Sequence, residues 1–239
     1  MRPIRAVLFD LYGTLAGFDP PREQIQSAAA EQHGLTLDST GIFQGYREAD
    51  DFMAAQNATA PLRTMSPPER EAFFARYEQI ILRHAGVDVD EAAASAVWET
   101  VRRQKYGLAP FDDVIPVLKQ LRQSGRRIGV VSNMAEPGDA VAARAGLSEH
   151  VDFVVTSQDA GANKPHPPIF LAALARAAAD AEEALLVGDS LEADIDGARG
   201  VGIRAVFMDR DGHYPDYSGG PRITTMNQLM SVIEELESG

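Results

Sequence analysis

The stretch Ile4-Arg5-Ala6-Val7-Leu8-Phe9-Asp10-Leu11-Tyr12-Gly13-Thr14-Leu15 joins a short apolar run, with Arg5 as its one charge, to an acid and a glycine turn. An apolar run of this length reads as a strand buried on both faces, as in a parallel sheet. Asp10 then falls at the C-terminal end of that strand. The same pattern recurs downstream. Arg127 to Val131 ends in Ser132-Asn133, and Val151 to Val155 ends in Thr156-Ser157. Ala184 to Val187 ends in Gly188-Asp189-Ser190, and Ile203 to Met208 ends in Asp209. Helical patterns alternate with these runs, at Val114 to Gln123, Ala140 to Ala145, Pro168 to Ala179 and Ala193 to Arg199. Strands alternating with helices predict an α/β fold with a doubly wound parallel sheet, and such sheets bind ligands beyond the C-terminal ends of their strands. The polar residues just named all fall there.

Residues 16–105 carry a different pattern. Arg22 to His33, Gly41 to Gln56, Pro67 to His84 and Asp90 to Arg103 read as four helices with no convincing strand between them. The expected organisation is a core domain of residues 1–15 and 106–239, with an all-helical domain of residues 16–105 inserted after the first strand. The sheet is expected to resume near Ala109-Pro110.

With 239 residues, 45% hydrophobic and 24% charged, the chain has an ordinary globular composition. Its formal charge of -13 disfavours nucleic acid and anionic membranes. The densest basic clusters, Arg102-Arg103-Gln104-Lys105 and Arg126-Arg127, are too short to reverse that locally. A small anionic substrate stays compatible with this charge. The absence of cysteine excludes disulfides, thiol catalysis and cysteine-bound zinc. The apolar run before Asp10 is too short for a signal peptide or a membrane span. The expectation is a cytoplasmic protein, working as a monomer or a homodimer.

Four constellations carry chemistry. Asp10, followed by Gly13 and Thr14, presents an exposed carboxylate backed by hydroxyl and backbone donors, which can attack phosphorus or carbon. Ser132 and Asn133 at a strand end can donate to an anionic oxygen, although they equally suit a turn. Lys164, in Asn163-Lys164-Pro165, is one of three lysines with Lys105 and Lys119, and can neutralise a phosphoryl group or orient a carboxylate. Asp189 at a strand end and Asp194 in the first turn of the next helix aim two carboxylates at one spot, the ligand type that holds magnesium beside a phosphate. Asp194 alone also fits stabilisation of a helix N-terminus.

In this order, each at a strand end, the four resemble the motifs of the haloacid dehalogenase-like superfamily, and residues 16–105 resemble its helical cap. The resemblance implies that Asp10 is the nucleophile. It implies that Thr14, Ser132 and Asn133 hold the transferred group or the nucleophile, and that Lys164 bridges Asp10 and the substrate anion. It implies magnesium held by Asp10, Asp189 and the backbone carbonyl of Tyr12, with Asp194 assisting. Phosphatases of the family usually carry a second Asp where this chain has Tyr12. That Asp protonates the leaving oxygen and later activates water. A Tyr there is the dehalogenase form, since a halide leaves without a proton. Asp189 belongs to the phosphatase form, because dehalogenases lack the metal-binding Asp. In the cap, Tyr46-Arg47 resembles a region where dehalogenases carry an arginine that meets halide or carboxylate, and Arg47 equally suits a phosphate-bearing substrate or a solvated helix face. The leading expectation is a magnesium-dependent phosphatase of a small phosphorylated metabolite. The competing ones are a 2-haloacid dehalogenase and a weakly active binding protein. His150, His166 and His213 are expected to be structural, and Asp209-Arg210-Asp211-Gly212 to be a surface turn.

Overall fold

A computed structural model describes residues 2–238, apart from the side chains of Ala58 and Arg63. The chain divides into two compact units: residues up to Gly17 together with those from Gly107 onward, and Phe18–Tyr106.

The first unit is built on a parallel sheet. Its strands are β1 (Ala6–Phe9), β4 (Arg127–Ser132), β5 (Phe153–Thr156), β6 (Ala184–Gly188), β7 (Arg204–Met208) and β8 (Arg222–Ile223), in the order β5-β4-β1-β6-β7-β8. β1, β5 and β6 are buried along their whole length. That is why they read as uninterrupted apolar runs rather than alternating ones. β1 is central, with Phe9 level with Val130 of β4 on one side and Val187 of β6 on the other. The chain therefore leaves β1 between the ends of two neighbours, and the Asp10 N–H donates to the Val187 carbonyl at 2.9 Å.

Helices cover the sheet. α5 (Val114–Gln123) buries Val114, Val117, Leu118 and Leu121, a one-face pattern of spacing three and four, and packs on β4. α6 (Pro167–Ala177) buries Ile169, Phe170, Ala173 and Leu174 in the cluster that holds Ala6 and Leu8. Phe170 is fully buried, and its truncation to Ala would cost about 3–5 kcal/mol.

The sheet does not resume near Ala109-Pro110. Gly107–Pro110 forms β3, which pairs with β2 (Ala16–Asp19) in a separate two-stranded ribbon. Pro110 has no N–H to give a central ladder, so the segment suits an edge.

The second unit holds four helices, α1 (Arg22–Glu31), α2 (Ser39–Thr59), α3 (Pro67–His84) and α4 (Glu91–Val101). Ile42, Tyr46 and Ala49 of α2 pack against Phe73, Tyr77 and Ile81 of α3. Gly45 permits the close approach, since a Cβ there would lie 2.7 Å from the Ile81 backbone. An ionisable group is buried inside: Glu78 accepts a short hydrogen bond from the Gln26 amide, whose oxygen in turn accepts from the Tyr46 hydroxyl at 2.9 Å.

Candidate active site

The site forms where β1, β4 and β6 end. Parallel register places Asp10, Ser132 and Asp189 at one edge of the sheet, and two loops complete it. The first is the turn after Asp10. Gly13 has φ +87°, a conformation that glycine adopts without strain, and any side chain there would strike the Asp189 carboxylate. The turn closes on itself, with Leu15 and Ala16 both donating to the Leu11 carbonyl.

The second loop carries Lys164. Its ammonium is buried and lies 2.5 Å from Asp10 Oδ1 and 2.6 Å from Asp194 Oδ1. Burial alone would strip the charge from this lysine, but the two carboxylates outweigh it and raise its pKa above the ordinary lysine value. Asp194 follows Ser190, which caps the next helical turn by accepting from the Ala193 N–H at 3.1 Å. Its other oxygen, Oδ2, accepts from the Ser190 N–H at 3.0 Å. Both Asp194 oxygens are thus engaged within the protein.

Asp10 and Asp189 are not held in this way. Asp10 Oδ2 is buried without a hydrogen-bond partner, as is the Thr14 hydroxyl. Burial pushes the Asp10 pKa up to about 6 against the pull of Lys164, with Asp194 adding repulsion. Asp189 presents an exposed face, yet desolvation in the crowded strand-end crevice and repulsion from Asp10 and Asp194 raise its pKa well above the carboxylate range. Ligand atoms of Asp10, Asp189 and Asp194 all lie within 4.8 Å of one another. Three carboxylates facing one ammonium leave an excess of negative charge. An all-oxygen set with an orphaned buried oxygen fits a hard divalent cation.

The structure thus brings together Asp10, Thr14, Ser132, Lys164, Asp189 and Asp194, with half-buried Tyr12 in the same turn. Asn133 sits beside them with its side chain committed elsewhere. Its Oδ1 accepts from the Lys164 backbone N–H at 2.7 Å, and its Nδ2 donates to the Lys164 carbonyl at 3.2 Å. Arg47 belongs to the helical unit, exposed on α2, where its charge acts on Asp51.

Asp209-Arg210-Asp211-Gly212 is a turn with Asp211 and Gly212 at the surface, as expected, but its first two side chains point inward. Asp209 is buried and accepts from the His213 and Tyr214 N–H groups and from Arg222. Arg210 reaches back to the Thr14 carbonyl. The available signal was position alone: an acid and a cation directly after an apolar strand.

Comparison with known proteins agrees with this geometry. The family model described as haloacid dehalogenase-like hydrolase matches residues 4–202. The chain is similar to a glyceraldehyde 3-phosphate phosphatase of Methanopyrus kandleri, 30% identical over 98% of this chain and 98% of the relative. It is also similar to a ribulose-1,5-bisphosphate 5-phosphatase of Halopiger xanaduensis, 30% identical over 97% and 95% of the two chains. Among solved structures, a 2-haloacid dehalogenase from Pseudomonas syringae is 29% identical, covers 98% of this chain and 99% of its own, and has a TM-score of 0.57. The family match holds the inserted helices and every strand-end residue of the site, and the 30% identical relatives extend over nearly the whole chain: the chain belongs to the haloacid dehalogenase-like hydrolase family.

Proposed function

We propose that this protein is a magnesium-dependent phosphatase of a small phosphorylated metabolite, working through an aspartyl-phosphate on Asp10. The observation that carries the reading is the carboxylate set of Asp10, Asp189 and Asp194 around one buried lysine, with Asp10 Oδ2 unpartnered. An anionic substrate would be repelled by this cluster unless a cation offset it. Asp10, Asp189 and the Tyr12 carbonyl would hold magnesium, with Asp194 assisting through its grip on Lys164. Bound there, the ion supplies charge neutralisation for the phosphoryl oxygens.

The chain's own residues do the rest. Lys164 fixes the Asp10 carboxylate through Oδ1 and so orients it for attack on phosphorus. As the Asp10–phosphorus bond forms, the bond to the leaving oxygen breaks and its electron pair stays on that oxygen. Lys164 and the Thr14 and Ser132 hydroxyls offset charge on the transferred group. Water then releases phosphate and restores the Asp10 carboxylate. Tyr12 offers no carboxyl to protonate the leaving oxygen or activate that water, which favours substrates with good leaving groups.

Tyr12 also motivates a second reading, a 2-haloacid dehalogenase, which the 29% identical dehalogenase structure resembles in sequence. Asp189 argues against it, since carbon–halogen cleavage has no use for a cation there. We further propose a cytoplasmic monomer or homodimer without a nucleic-acid partner, and only the last of these draws support from the -13 charge. Among the described residues, no helix is long and apolar enough to cross a membrane. The deciding experiment is a panel of phosphomonoesters and 2-haloacids assayed with magnesium and with chelator. Magnesium-dependent phosphate release is expected. Haloacid turnover that survives chelator would establish the second reading, and no turnover of either class would mark a binding protein.

A further inference from the structure

We propose that Arg210 is a positioning residue for the nucleophile turn, clamping it through the carbonyl of Thr14. Arg210 extends from the end of β7, two strands away from β1. Its Nε and Nη2 donate to the Thr14 carbonyl at 3.1 and 2.8 Å. Its Nη1 and Nη2 donate to the two oxygens of Asp113 at 3.0 Å each. The guanidinium also lies over the Phe111 ring, 4.2 Å from its centroid. Asp113 is itself fixed by the Thr225 hydroxyl at 2.7 Å and the Met226 N–H at 2.8 Å. The side chains of Arg210 and Asp113 are 15% and 14% exposed, so the clamp is largely shielded from competing water.

Backbone hydrogen bonds from Gly13, Leu15 and Ala16 close the turn on itself, and Arg210 adds a hold on it from outside. Thr14 is fully buried, yet its hydroxyl has no partner within the protein. What aims that hydroxyl is therefore the backbone, and Arg210 holds the backbone by the Thr14 carbonyl. The planar fork of an arginine presents paired donors to the Thr14 carbonyl and to both Asp113 oxygens at once, a fixed geometry that a lysine's single ammonium lacks. The far end is anchored too, because the neighbouring Asp209 is held by His213, Tyr214 and Arg222.

Only the kinetic arm of the test rests on the proposed phosphatase activity. The full chain is prepared as wild type, Arg210→Gln and Arg210→Lys. Amide hydrogen exchange is read over residues 11–16 and, as an internal control, over β4 and β6. Turnover of an aryl phosphate with magnesium is measured in parallel. Arg210→Gln is expected to speed exchange in 11–16 while leaving β4 and β6 unchanged. It should lower kcat by about 10–100-fold with KM within about twofold, the scale of a small misplacement of reacting groups. Arg210→Lys, which keeps the charge but loses the planar fork, should recover part of both. Wild-type exchange and kcat in Arg210→Gln would overturn the clamp. So would a loss of protection shared equally by β4 and β6, or an effect confined to KM. If Arg210→Gln does not fold, Arg210→Lys carries the same readouts with the same criteria. A wild type without phosphatase turnover would sink the proposed function, and the exchange arm would still decide this inference.

Discussion

Asn133 grips Lys164 by its backbone, accepting from its N–H at 2.7 Å and donating to its carbonyl at 3.2 Å, while the lysine side chain runs on to Asp10. The amide therefore sets where the ammonium sits. Asn133→Ala is expected to lower kcat by about tenfold through misplacement of that charge. It should cost about 1 kcal/mol per lost hydrogen bond in stability. Steady-state kinetics and chemical denaturation check both, and wild-type kcat would show that the lysine loop holds itself.

Lys164→Ala removes the charge itself. A loss of about 10²–10³-fold in kcat is expected, or about 2.7–4 kcal/mol, the scale of one preorganised electrostatic donor. The loss should exceed that of Asn133→Ala, because the one variant displaces the group and the other deletes it. Equal losses would mean that the amide acts on something besides the lysine.

In the helical unit, Glu78 gives a pH dependence of known sign. Burial raises its pKa from 4.5 to about 7, against the Gln26 hydrogen bond that lowers it. The folded state thus favours the neutral carboxyl. Its contribution is fully present below pH 4.5, is lost as pH rises toward 7 and is constant above that. The shift corresponds to roughly 3 kcal/mol. Denaturation at pH 5 and pH 8 should show wild type losing more stability on going to pH 8 than Glu78→Gln does. Equal losses in the two proteins would mean that Glu78 stays charged in the fold.

Tyr12 tests the chemistry of the leaving group. General acid–base assistance is typically worth about 10²–10⁴-fold. Tyr12→Asp should raise turnover of alkyl phosphates more than that of aryl phosphates, provided the shorter side chain reaches the leaving oxygen. The readout is the ratio of alkyl to aryl turnover in the two proteins. A ratio that stays the same or falls would refute this account of position 12.

These residues were legible in the sequence to different degrees, for physical reasons. Asp10, Ser132 and Asp189 could be placed because fully buried parallel strands leave apolar runs whose ends are sharp. Lys164 and Asp194 followed from their order along the chain. The task of Asn133 was hidden, because an amide at a strand end suits a ligand and a neighbouring loop equally well. Arg210 was hidden by distance, since its partners Asp113 and Thr14 lie 97 and 196 residues away. Pro110 marked a return to the core but not to the main sheet, because a four-residue edge strand carries no pattern of its own. Glu78 shares the buried face of α3 with Ala75, Ile81 and Leu82, and its hydrogen bond to Gln26 of α1 joins residues 52 apart, which no local pattern marks.

The central claim is that Asp10 takes up the phosphoryl group, and without a carboxyl at position 12 that intermediate should be slow to hydrolyse. The most direct measurement is the mass of the Asp10-bearing peptide after acid quench of the enzyme turning over an aryl phosphate with magnesium. The account predicts a phosphate adduct on that peptide, present with magnesium and absent with chelator or in Asp10→Asn. Sustained turnover with no adduct on Asp10, or an adduct that forms equally in chelator, would contradict it.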